Sequence, residues 1–204
     1  MGFVNGAKAF DGGNYMDREK GVKKNFSYDK LAYVWEAQSQ REGRAGNGRM
    51  FFIDDTIYSY HSSWPLAKLV KSPSGQPCVL VNVQTYSVQT SKHLWCVQTA
   101  IRNRLEGFPV FTMDRDTLAA WYENSQRSHR DTIEYYESEF KSAREESCMP
   151  RIRQPRRDRA LARCAHVANE ANRFVEIFGG TVPFPRNPSE ALALMLAYQP
   201  TQEG

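Results

Sequence analysis

The sequence predicts an α+β fold: a small antiparallel sheet with one helix packed on it, followed by a helical C-terminal half. Three observations lead there. Between residues 50 and 83 the apolar residues come in short β-rich blocks separated by turn residues. From Leu94 they switch to helical spacing, with Val97, Ile101 and Leu105 on one face. Beyond Met113 apolar residues again recur at helical spacing, interrupted by caps and prolines.

Taken in order, residues 1–49 are rich in Gly, Asn and charge, and residues 38–48 read as a flexible loop. Leu31, Ala32, Val34 and Trp35 mark at most a short element. The expectation is a flexible N-terminal arm. Met50, Phe51, Phe52 and Ile53 open the sheet, and Asp54-Asp55 is a turn. Residues 56–61 alternate as a half-buried strand does. Pro65 bends the chain and restricts Trp64 before it. Residues 66–70 form a further strand, and residues 72–77, with two prolines and a glycine, form a turn. Residues 78–83 are β-branched and almost wholly apolar, a buried strand. Thr90 or Ser91 is placed to cap the following helix, which puts Lys92 and His93 in its first turn. Gly107 stops it, and Pro109 places residues 108–112 at a sheet edge or strand start.

Asp114 or Asp116 can cap a long helix running to about residue 146, partly exposed or broken near Ser125. Pro150 and Pro155 mark a basic linker. Asp158 caps the next helix, whose Leu161, Cys164, Ala165, Ala168, Ala171, Val175 and Phe178 form a narrow face suited to close packing, ended by Gly179-Gly180. Asn187, Pro188 and Glu190 signal a final apolar helix over residues 191–198. The chain therefore divides into an arm (1–49), an α+β core (50–113) and a helical region (114–204) packed on that core as one domain.

Composition bounds the function. The chain has 204 residues, 41% of them apolar, enough for a core. No run of about eighteen apolar residues exists, so no membrane partner is expected. Cys78, Cys96, Cys148 and Cys164 are scattered, with no C-x-x-C pair, which fits free thiols in a reducing cytoplasm. No metal site, cofactor motif or nucleophile elbow stands out, and no catalytic residue is assigned. His166 and Glu170, four apart, read as surface polarity.

Net charge is +4, and its distribution is uneven. Arg151, Arg153, Arg156, Arg157, Arg159 and Arg163 lie close together, opposed locally only by Asp158. Arginines at a helix start oppose the helix dipole, so local stability does not explain them. They suit phosphates or an acidic protein surface, and Lys92 adds a phosphate contact near the middle helix. The competing reading is a solvated basic face paired with Glu137, Glu139, Glu145 and Glu146. A separate constellation is His61, Lys92 and His93. If they converge on one rim of the sheet, two histidines and a lysine suit metal-independent phosphodiester cleavage or phosphotransfer. If they do not, each histidine supports a turn.

The middle segment also resembles an uncharacterised family of small bacteriophage and mobile-element proteins. The likeness rests on Tyr58-Ser59-Tyr60-His61, Pro65-Leu66-Ala67, the string from Thr85 through Tyr86, Ser87, Thr90 and Ser91 to Lys92-His93, and Phe108-Pro109-Val110-Phe111. It covers about residues 50–113. The resemblance implies a phage origin and no catalytic residue. Together these readings point to a non-enzymatic accessory protein in the host cytoplasm. It binds a host protein complex or nucleic acid, with inhibition of a host defence or nucleic-acid machine as the specialisation the resemblance implies. The alternatives are the paired-histidine enzyme and a structural virion component. A homodimer stays open beside a monomer.

Overall fold

The computed structural model describes residues 24–46, 48–104, 107–123, 125–180 and 184. Seven strands form one sheet in sequential order. They are β1 (Asn25–Phe26), β2 (Glu42–Ala45), β3 (Met50–Ile53), β4 (Thr56–Ser59), β5 (Pro65–Lys71), β6 (Pro77–Asn82) and β7 (Val110–Met113). The helices are α1 (Tyr28–Glu36), α2 (Val88–Arg104), α3 (Arg115–Ala119), α4 (Gln126–Cys148) and α5 (Gln154–Phe178). The fold is α+β with a helical C-terminal half.

Strands β2 to β6 pair antiparallel, while β1–β2 and β6–β7 pair parallel. A parallel pair cannot be closed by a tight turn and needs a crossover. Here α1 and α2 supply the two crossovers and pack against each other. They cover one face of the sheet, where Leu31, Trp35, Phe52, Val79, Val97 and Ile101 share a core. On the other face Leu80, Phe111, Trp121, Tyr136, Phe174 and Phe178 pack together beneath α3, α4 and α5. Strand β6 shows why its sequence is apolar throughout. Val79 and Val81 point into the first core and Cys78 and Leu80 into the second. A strand covered on both faces loses the polar alternation of a half-exposed one.

Several expectations need correction. From Lys24 onward the expected arm is part of the fold: β1, α1 and β2 belong to the sheet and its first core, and Leu31, Ala32 and Trp35 are fully buried. The expected loop at residues 38–48 contains β2, and two helices rather than one cover that face. Residues 1–23 and the expected final helix at 191–198 lie outside the described residues. Strand β4 stops at Ser59 rather than residue 61, because Tyr60 adopts a left-handed backbone (φ 63°) that leaves the pleat. The break expected near Ser125 is present and divides the segment after Asp114 into α3 and α4. Asp114 caps α3 through the Thr117 N–H (2.7 Å), and Ser125 caps α4 through the Ser128 N–H. Helix α5 starts at Gln154 with Arg153 at its N-cap, so Asp158 is no cap and Pro155 sits in the first turn, where its missing N–H is not needed. The small-residue face does allow close packing: Ala160, Cys164, Ala168 and Ala171 are buried along α5, which pairs with α4.

Candidate functional site

The junction between β6 and α2 gathers the residues that the sequence marked most strongly. Buried Asn82 ends β6, donating from Nδ2 to the Pro65 carbonyl (2.9 Å) and accepting the Gln84 N–H on Oδ1 (2.7 Å). Ser87 then accepts the Thr90 N–H on its Oγ (3.0 Å). Ser87 is therefore the cap of α2, in place of Thr90 or Ser91. This shift moves Lys92 and His93 out of the first turn, where the unpaired backbone donors lie. Neither residue completes an anion site at the helix start.

His93 is fully buried. Its Nδ1 lies 2.8 Å from Ser59 Oγ and its Nε2 lies 2.9 Å from Gln89 Nε2, one turn back on α2. With the Gln89 amide nitrogen donating to Nε2, the ring proton sits on Nδ1 and Ser59 Oγ accepts it. The imidazole also lies among rings, 4.6 Å from the Tyr28 centroid and 5.7 Å from that of Tyr60. Burial, helped by the nearby Arg49 charge, pushes its pKa down to about 4. The side chain is thus neutral at ordinary pH, with both nitrogens engaged. It ties α2 to the end of β4 and to α1, and it does not present a proton to solvent.

The three residues of the enzymatic alternative share no hydrogen bond or ring contact among the described residues, and they differ in burial. His61 is exposed in the β4–β5 turn, where its N–H donates to the Ser59 carbonyl (2.8 Å) and its own carbonyl accepts the Trp64 N–H (2.9 Å). Lys92 is exposed on the outer side of α2, while His93 faces inward. Among the described residues no hydrogen bond, ion pair or ring contact joins His61 to His93. The inward direction of His93 was legible, since it precedes Val97 and Ile101 at intervals of four. Its partner Ser59, thirty-four residues away, was not.

The arginines occupy the corner between α4 and α5. Glu146 clasps two of them, Arg156 at 2.7 Å and Arg163 at 3.3 Å. The hydrogen bond from Arg156 holds the Glu146 carboxyl below its ordinary pKa. Arg157 donates from Nε to the Ser147 carbonyl (3.1 Å), satisfying one of the carbonyls left unpaired at the C-terminal end of α4. Arg159 donates to the Pro155 carbonyl (3.2 Å), and the Asp158 carboxylate accepts from Gln154 (2.8 Å). Arg151 lies in the turn with φ 64°, and Arg153 is the N-cap residue; both are exposed, with no carboxylate partner among the described residues. Of the four expected acidic partners, Glu146 pairs with this cluster. Seven arginines stand against three carboxylates between Arg144 and Arg163, a local excess of four that equals the net charge of the whole chain.

Two further features were not foreseen. Glu170, read as surface polarity, is mostly buried. It accepts the Thr112 hydroxyl and lies 3.6 Å from exposed His166, and burial raises its pKa. A cavity of about 250 Å³ beside α3 and α4 is lined by Asp114, Asp131, Glu139, Tyr135, Thr117 and Gln84, which makes it acidic. Among the described residues no group of three His, Cys, Asp or Glu side chains is placed to hold a metal, the four cysteines are free thiols, and no helix is long and apolar enough to cross a membrane. Comparison with family models, curated proteins and solved structures gives no match to this chain.

Proposed function

We propose that this protein is a non-enzymatic accessory protein of phage type that binds nucleic acid, engaging the phosphate backbone through the α4–α5 corner. The observation that carries the reading is the charge imbalance at that corner. One clasped carboxylate, Glu146, neutralises at most one of the arginines around it, and Arg151 and Arg153 are left facing solvent. Guanidinium groups spaced along a turn and the first turns of a helix match a run of phosphates. Helix propensity offers no competing reason for arginines at the positive end of α5. The phage setting, and action on a host nucleic-acid machine, rest on the likeness of residues 50–113 to the mobile-element family.

The test is fluorescence anisotropy with labelled DNA and RNA oligonucleotides, single-stranded and duplex, across a salt series. The protein is compared with a variant carrying Arg153→Glu, Arg156→Glu and Arg159→Glu. Affinity should fall steeply with salt, and the variant should bind barely at all. Neutralising three phosphate contacts should flatten the log–log salt slope by roughly two to three. Equal affinity of a folded variant, or no oligonucleotide binding by the parent protein, would overturn the proposal; the second outcome would turn attention to an acidic protein surface.

A further inference from the structure

Helix α2 covers one face of the sheet, on the side opposite α4 and α5. Its inner residues, His93, Leu94, Val97, Ala100 and Ile101, are buried. Its outer side is unusual in two respects. It presents Lys92 and Arg102, and over its 17 residues the helix has no Asp or Glu. It also leaves Trp95 62% exposed. A large indole held in water, on a helix whose apolar residues from Leu94 to Ile101 are otherwise buried, calls for an explanation beyond folding.

Lys92, Trp95 and Arg102 are separated by three and seven residues, so they fall on one stripe of the helix, and all three are exposed. Val88, 76% exposed, extends the stripe toward the helix start. Along its inner edge the helix is sealed by α1: the Cys96 thiol donates to Asp29 (3.0 Å) and Asn103 donates to the Tyr33 hydroxyl (2.8 Å). Asp29 is the carboxylate that α1 brings near, and Lys30 follows it directly. The stripe therefore presents a flat aromatic surface with a cation on either side along the helix. From Lys92 to Arg102 the helix rises about 15 Å, room for two to three nucleotides of an extended strand.

We infer that the outer stripe of α2 binds single-stranded nucleic acid, stacking an unpaired base on Trp95 while Lys92 and Arg102 hold the flanking phosphates. The inference rests on the nucleic-acid reading above and adds to it the strand class and a second surface. A base paired inside a duplex has no free face to offer the indole, whereas every unpaired base does. Charge complementarity favours this occupant over a hydrophobic groove, which would need neither cation.

Four folded proteins decide the matter: the parent chain, Trp95→Ala, Trp95→Phe and the arginine-corner variant. Each is titrated against a labelled unstructured oligonucleotide and a duplex of equal length. Trp95→Ala should weaken single-strand binding roughly fivefold or more, as expected for one lost stacking contact, and leave duplex binding unchanged. Trp95→Phe should restore part of the loss. The arginine-corner variant should lose both ligands. Unchanged single-strand affinity in Trp95→Ala would overturn the inference and leave the α4–α5 corner standing, with the α2 stripe free for a protein partner. An equal loss for single strand and duplex would overturn it too, because stacking then plays no part. Failure of the parent chain to bind any oligonucleotide would remove both proposals.

Discussion

The clearest consequence of the buried His93 is a loss of stability in mild acid. In the unfolded chain the residue titrates at its ordinary 6.5, and in the folded protein at about 4. Between those values the unfolded chain binds the extra proton, so acidification favours unfolding. The contribution is present in full above about pH 6.5 and is lost as the pH falls toward 4. The full displacement corresponds to about 3 kcal/mol, of which about 2 kcal/mol disappears between roughly pH 7 and pH 5. That is a large part of the stability of an ordinary domain. The control is His93→Asn, whose amide can still donate to Ser59 Oγ but cannot titrate. The variant should be less stable at neutral pH, because it loses the ring contacts to Tyr28 and Tyr60. Its stability should nevertheless change less with pH. His129, whose pKa burial also lowers, and Glu170, whose pKa burial raises, titrate in both proteins and cancel in the difference. The assay is urea unfolding of both proteins at matched pH values. Parallel stability-versus-pH curves would refute the neutral, doubly hydrogen-bonded imidazole.

Three other outcomes follow from the same contacts. Gly46→Ala should destabilise by about 1–3 kcal/mol in urea unfolding, because Gly46 has φ 56° and a Cβ there would collide with the Tyr28 hydroxyl. Ala171→Leu should cost about 1–3 kcal/mol in the same assay, since Ala171 has no exposed surface and its small side chain lets α5 approach the second core. Glu146→Gln should release Arg156 and Arg163 and tighten oligonucleotide binding, with a steeper salt dependence in anisotropy titrations; weaker or unchanged binding would count against the α4–α5 corner as the phosphate contact.

Local pattern determined much of the architecture. The apolar run of β6, the two-residue turn at Asp54-Asp55, the break at Ser125 and the small-residue face of α5 each follow from spacing and turn chemistry within a short window. Strand β2 escaped that reading for a physical reason. Its inward positions are Gly43 and Ala45, which carry almost no hydrophobic signal. Gly43 is small because a Cβ there would come within 2.6 Å of the Phe52 ring, a constraint imposed by the neighbouring strand. The cap of α2 was misplaced because Ser87, Thr90 and Ser91 all carry a hydroxyl, and periodicity does not locate the first turn.

The sequence by itself thus determined the fold class, the faces of the long elements and the concentration of positive charge in the final third of the chain. Only the tertiary structure decided which residues meet. It turned His93 inward onto Ser59 and left Lys92 and His61 in solvent. It returned Glu146 to Arg156 and Arg163 across the α4–α5 turn. It also set α2 and the arginine corner on opposite sides of the sheet. Side-chain direction along one element is a local property with a fixed period, but a contact between elements depends on sheet order, register and crossover, which no short window of sequence contains.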